Sequence, residues 1–98
     1  MDRNVPTEEQ LRVLRPFLQD GRITRIPTKL SKRRPLLEWL VNDFEPERRY
    51  SEKMVNLIIG IRHADTAALR RYLIEERLMA RADGTYWRVD GSRQPSGV

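Results

Sequence analysis

Apolar residues recur at helical spacing in four stretches of the chain, and a residue suited to capping a helix stands near the start of each. In the first, Thr7-Glu8-Glu9-Gln10 fits a capping box, in which the Thr7 hydroxyl and the Gln10 side chain satisfy each other's free backbone amides. Leu11, Leu14, Phe17 and Leu18 follow, which predicts a helix over about residues 7–19, bent at Pro16 and stopped by Asp20-Gly21. Arg22 to Pro27 is β-prone, and Pro27 marks an edge or an ending strand. Ser31 is expected to cap a second helix whose regular part starts near residues 32–34, because Pro35 is tolerated only in a first turn. Its apolar stripe is Leu36, Leu37, Leu40, Val41 and Phe44, with Trp39 beside it and Glu45-Pro46 ending it.

After a charged link over residues 47–49, Ser51 caps a third helix carrying Met54, Val55, Ile58, Ile59 and Ile61, until Gly60 and Arg62-His63-Ala64 break the run. Asp65 caps a fourth over residues 66–76, with Leu69, Tyr72 and Leu73 on its buried side. The period then changes. Residues 78–81 and 85–89 flank Ala82-Asp83-Gly84, and Asp-Gly between two apolar runs is a strong hairpin signal. Alternation sets Tyr86 and Arg88 on one face of that hairpin and Trp87 and Val89 on the other, without saying which is buried. The order helix, helix, tight turn, helix, hairpin over residues 32–89 predicts a mainly helical α+β chain. It is a winged helix-turn-helix with an extra N-terminal helix and short strand, and a C-terminal β-hairpin as its wing.

Composition narrows this picture. With 98 residues and 39% apolar content the chain has room for one modest core. The expected single domain spans residues 7–89, divided into a helix and basic strand segment over 7–31 and the winged unit over 32–89. Residues 1–6 and the small, polar stretch 90–98 are expected to be a flexible N-terminus and a disordered tail. No run approaches the ~18 apolar residues of a membrane span and no signal-like stretch opens the chain, so a cytoplasmic location with no membrane partner is expected.

The net charge of +5 is concentrated: residues 21–35 carry six basic side chains and no acidic one. Those six, Arg22, Arg25, Lys29, Lys32, Arg33 and Arg34, are candidate phosphate contacts. Helix 66–76 is the candidate recognition element. Leu69 and Leu73 would face inward, leaving Thr66, Ala67, Ala68, Arg70 and Arg71 outward, where arginines can reach phosphates or the acceptor edge of guanine. Arg77 would extend its basic side, and Arg81 and Arg88 on the wing could touch the backbone of DNA. Against this stands a reading in which the arginines pair with nearby carboxylates on a solvated surface.

Other chemistry finds less support. One histidine and no cysteine argue against a zinc site, and no metal or cofactor is expected. His63, just before the Asp65 cap, reads as a packing or capping residue. Glu38, Asp43, Glu45, Glu47 and Glu52 are near one another in sequence, but acid–base work needs two of them held in a cleft. With no phosphate loop and no nucleophile signature, the chain is not expected to be an enzyme.

An ordered set of residues carries a family resemblance: Phe17, Asp20-Gly21-Arg22-Ile23, Ile26-Pro27, Lys29, Lys32-Arg33, Tyr50, Glu52, Val55-Asn56, His63, Asp65, Leu69-Arg70-Arg71, Leu73, Leu78, Arg81, Gly84 and Tyr86-Trp87-Arg88. Over about residues 14–88 the chain resembles the bacterial domain of unknown function family 2087. Members occur alone or attached to winged-helix repressors of the arsenic-repressor type, so the resemblance implies a transcriptional setting. It implies no ligand, reaction or catalytic residue. Three positions depart from the pattern: Arg77 stands where a helix-ending glycine is common, Met54 where a glutamate is common, and Pro35 where an aliphatic residue is usual. A left-handed cap at Arg77 would strain its backbone.

The leading expectation is a DNA-binding transcriptional regulator or regulatory module acting on duplex DNA; a homodimer would match a two-fold operator, but the sequence shows no interface for one. The alternative is a protein-interaction module of the transcription machinery without direct DNA binding. For that, Ile74, Met79 or Trp87 should contribute to a contiguous exposed apolar patch. RNA or single-strand binding through the aromatic wing is a third reading.

Overall fold

The computed structural model of the chain describes residues 4–89. Residues 1–3 of the expected flexible N-terminus, and the expected tail over residues 90–98, lie outside the described residues. Helix α1 (Glu8–Leu14) opens on the capping box as expected: Gln10 N donates to Thr7 Oγ1 at 3.1 Å and Thr7 N to Gln10 Oε1 at 2.9 Å. It is shorter than its apolar spacing suggests. Pro16 turns the chain into one 3-10 turn (Arg15–Phe17), after which β1 (Leu18–Gln19) is extended. Asp20 and Gly21, at φ 53° and 78°, then form a tight hairpin turn that pairs β1 with β2 (Arg22–Ile23). The Asp-Gly pair is therefore a hairpin turn and not only a helix stop, because both residues accept the positive φ that a type I′ turn requires.

Helix α2 (Leu30–Leu40) starts two residues earlier than expected, after Lys29, which supplies no side-chain cap; Ser31 is already inside it. Pro35 consequently sits in the second turn, not the first. The bond it cannot make would have gone to the Ser31 carbonyl, and Ser31 is exposed, so water can take that place. The helix continues through a 3-10 turn (Val41–Asp43). The charged link that follows hides a strand: β3 (Arg49–Ser51) precedes α3 (Glu52–Gly60) directly, with Ser51 Oγ accepting from Met54 N at 3.1 Å. Helix α4 (Thr66–Glu75) begins at Asp65, whose carboxylate accepts from Ala68 N at 3.2 Å. Strands β4 (Met79–Ala82) and β5 (Thr85–Arg88) join through Asp83-Gly84, again at positive φ.

Strand β5 pairs antiparallel with both β4 and β3, so the second sheet has the order β3-β5-β4. Among the described residues the result is an α+β fold of four α-helices and two small antiparallel sheets. One core joins the elements: Leu14 and Ile23 from the N-terminal part, Leu36, Leu37, Trp39 and Leu40 from α2, Val55 and Ile59 from α3, Leu69 and Leu73 from α4, and Leu78, Met79 and Tyr86 from the sheet. Of the expected α3 stripe only Val55 and Ile59 are buried; Met54 and Ile61, together with Leu57, are exposed.

The N-terminal segment is fastened to the turn between α3 and α4. Arg62, 5% exposed, donates from Nε and Nη2 to the two Asp43 carboxylate oxygens at 2.7 and 2.8 Å and from Nη1 to Gly21 O at 2.7 Å. Its guanidinium lies 4.6 Å from the centre of the Trp39 ring. Ile23 N donates to Arg62 O, and Arg22 Nη1 donates to Ile61 O at 2.6 Å. Asn4, within the stretch expected to be flexible, donates to Trp39 O at 2.6 Å and to Asp43 Oδ1 at 3.1 Å and accepts from Trp39 Nε1.

Candidate nucleic-acid interface

Helix α4 is the centre of the site. It turns Leu69 and Leu73 into the core and leaves Ala67, Arg71 and Glu75 along an exposed ridge, the spacing of one helix face. Its start is doubly held: beyond the Asp65 cap, the Asp65 amide donates to His63 Nδ1 at 3.0 Å, so His63 acts as a turn cap. Thr66, expected outward, is half-buried.

Its end keeps the left-handed cap despite the missing glycine. Arg77 stands at φ 61°, with Leu78 N bonded to Leu73 O and Arg77 N to Ile74 O. These are the two bonds of a Schellman motif, and the buried pair Leu73 and Leu78 supplies its hydrophobic contact. The strained Arg77 side chain is exposed.

On one side α4 faces the β4–β5 hairpin. Ala67, Arg70, Arg71, Ile74, Glu75, Arg81 and Tyr86 line an open groove of about 430 Å³ between helix and hairpin. Its polar groups are already linked. Arg81 Nη1 donates to the Tyr86 hydroxyl at 3.2 Å, and that hydroxyl donates to Glu52 Oε1 at 3.0 Å. Arg70 Nη2 lies 3.8 Å from Glu52 Oε2, and its Nη1 donates to Asn56 Oδ1. Arg71 at the rim pairs loosely with Glu75, at 3.7 Å.

On the other side α4 is bordered by the basic segment. Arg22 reaches Ile61 O just before the helix, whereas Arg34 Nη1 reaches Glu76 O at its end, at 2.6 Å. Between them the Tyr72 ring carries two guanidiniums, Arg33 at 4.2 Å and Arg71 at 5.2 Å from its centre. Arg33 and Arg34 therefore meet α4, Arg33 sharing the Tyr72 ring with Arg71 and Arg34 reaching the end of the helix.

The candidate residues divide by what holds them. Lys29, Lys32, Arg71, Arg77 and Arg81 are exposed; Arg25 is exposed too, stacked 5.1 Å over Phe17 in the N-terminal hairpin. Arg33 is turned inward, donating to Pro27 O and Thr28 O. Arg34 is shared between Glu38 and Glu76. Arg88, expected at a phosphate, donates to Phe44 O and supports the chain after α2.

The carboxylates that sequence grouped together are dispersed: Glu38 meets Arg34, Asp43 meets Arg62, Glu45 meets Arg48, and Glu52 meets Arg70. Glu52 and Asn56, which hold Arg70, were not among the candidate contacts. Their i, i+4 spacing on α3 is the signal that they share a face. Tyr86, not Trp87, is the buried aromatic of β5. Among the described residues, no group of three or more His, Asp or Glu side chains is placed to hold a metal ion, and no helix is long and apolar enough to cross a membrane.

No curated protein and no solved structure matches the chain. The family model described as an uncharacterized protein conserved in bacteria (DUF2087) matches residues 22–88, from β2 through β5. That stretch contains helices α2 to α4, the β4–β5 hairpin and the basic segment, and is well over half of the sequence; the chain belongs to the DUF2087 family.

Proposed function

We propose that the chain is a DNA-binding transcriptional regulator, or the DNA-binding part of one, built as a winged helix-turn-helix. The order α2, β3, α3, turn, α4, β4, β5, with β3 added to the edge of the β5 strand, supports that architecture. The observation that carries the function is the set of cations on and beside α4: Arg70, Arg71 and Arg81 line the groove between the helix and the β4–β5 hairpin, and Arg33 shares the Tyr72 ring with Arg71. In this reading α4 enters the major groove, Arg71 reaches base edges or phosphates, and the flanking cations follow the two backbones. The transcriptional setting implied by the family resemblance agrees with it.

Titration of duplex DNA at increasing salt tests the reading. Binding should weaken linearly on a log–log plot, with a slope of about −0.9 per phosphate neutralised. Arg71→Ala should weaken it about tenfold or more. Binding indifferent to salt, or unchanged in Arg71→Ala, would remove the proposal.

A second reading, a protein-interaction module, draws on Met54, Leu57 and Ile61, exposed on α3 at i, i+3 and i+7. The residues that sequence offered for it serve otherwise: Met79 is buried, and Ile74 and Trp87 are half-buried. A partner that stays bound at high salt and is lost in Leu57→Lys would favour it over DNA.

A further inference from the structure

The wing-side groove contains a charge arrangement that α4 alone does not need. Glu52, the first residue of α3, meets three residues that line the groove: Arg70 of α4 and Tyr86 directly, and Arg81 through the Tyr86 hydroxyl. Its contact with Arg70 is long, 3.8 Å, and its side chain is 53% exposed against 20% for Arg70. Such a pair is weak in water. An anion with tetrahedral oxygens can replace the carboxylate, accept from both guanidiniums at once and form shorter charge-assisted bonds.

We propose that the groove between α4 and the wing is a phosphodiester site formed by Arg70 and Arg81, and that Glu52 occupies the place of the phosphate while the protein is unbound. The inference rests on the DNA-binding reading and adds to it a site, a ligand chemistry and a competitor within the chain. Asn56 and Tyr86 keep their hydrogen bonds to the arginines as Glu52 withdraws, so the cations stay aimed while the partner changes. Glu52 thereby opposes loose binding: a phosphate must displace it, which favours backbones docked closely enough to engage both arginines.

The test is Glu52→Gln, which keeps the shape and the acceptor for Tyr86 but removes the charge. Fluorescently labelled duplex DNA and inorganic polyphosphate serve as probes at several salt concentrations. Duplex should bind the variant about three- to tenfold tighter, with a log–log salt slope steeper by about one, because one more counterion is released. The gain should vanish in the Arg70→Ala background. The remote control Glu9→Gln, on α1, should give a smaller gain that persists with Arg70→Ala. If Glu52→Gln fails to fold, Glu52→Ala removes the carboxylate at an exposed helix position, leaves the Arg81–Tyr86 bond in place and should give the same gain.

Parent protein that binds duplex with no gain in Glu52→Gln, or with a gain untouched by Arg70→Ala, overturns the site and leaves the DNA reading standing. Polyphosphate bound more tightly by Glu52→Gln while duplex is ignored sustains the site and removes the DNA reading. No binding of either probe removes both.

Discussion

Arg62, in the turn before α4, and Arg70, within it, each meet a carboxylate from another element. Arg62, in the turn before the helix, binds Asp43 in a two-pronged pair at 2.7 and 2.8 Å, with side chains 6% and 13% exposed. Arg70, one turn into the helix, meets Glu52 at 3.8 Å in a groove open to water. The residue types are alike; burial and geometry decide what they do. At the turn the pair is nearly buried and three guanidinium donors have fixed acceptors, so it holds three segments together. In the groove the same chemistry is exchangeable. A basic residue count cannot separate the two roles.

Arg62→Ala should break this comparison most sharply. It leaves the Asp43 carboxylate unpaired and should cost about 3–5 kcal/mol, read by urea unfolding. A loss below about 1 kcal/mol would mean that the pair does not fasten the turn. On the other side, Arg70→Ala should change stability by less than about 1 kcal/mol while duplex DNA affinity falls about tenfold. Should its stability loss approach that of Arg62→Ala, the groove is structural as well. Gly84→Ala probes the β4–β5 hairpin without touching either arginine: at φ 76° with open space around it, a methyl group should cost about 1 kcal/mol through backbone strain alone, seen as a melting shift of about 4–8 °C. The smallest effect has the opposite sign. Arg77→Gly relieves the left-handed backbone at φ 61° and should add about 0.5–1 kcal/mol, and any accompanying drop in DNA affinity would measure what the strained arginine contributes there.

Much of this was legible where the signal is local. Thr7, Ser51 and Asp65 each cap the helix expected of them, and Asp83-Gly84 turns the expected hairpin, because caps and turns depend on residues a few positions apart. Competing local signals explain two misses. Leu18 continues a helical spacing from Leu11 and Leu14, yet Pro16 and the Asp20-Gly21 turn together make residues 18–19 a strand. In α2 the tertiary contacts of Leu36, Leu37 and Leu40 outweigh the preference of Pro35 for a first turn. Strand β3 was missed for a different reason: three residues between two helices carry no period, and their partners on β5 are 34 or more positions away.

The site divides in the same manner. The ridge of α4 follows from its own periodicity. Nothing near Arg70 or Arg88 in sequence announces Asn56, Glu52 or Phe44 as their acceptors, and nothing near Arg62 announces Gly21, 41 residues earlier.

The fastening of residues 4–23 to the α3–α4 turn also fixes an order of events during synthesis. Their partners Trp39, Asp43 and Arg62 leave the ribosome later than they do, so this first stretch can form its helix and hairpin but has nothing to dock on. Helix α1 can dock once α2 has been made, but the hairpin can be fastened only after position 62, and the loop that this closes spans some forty residues, a contact of high sequence separation that should slow folding of the whole domain. The hairpin is thus made before the residue that fixes its final place.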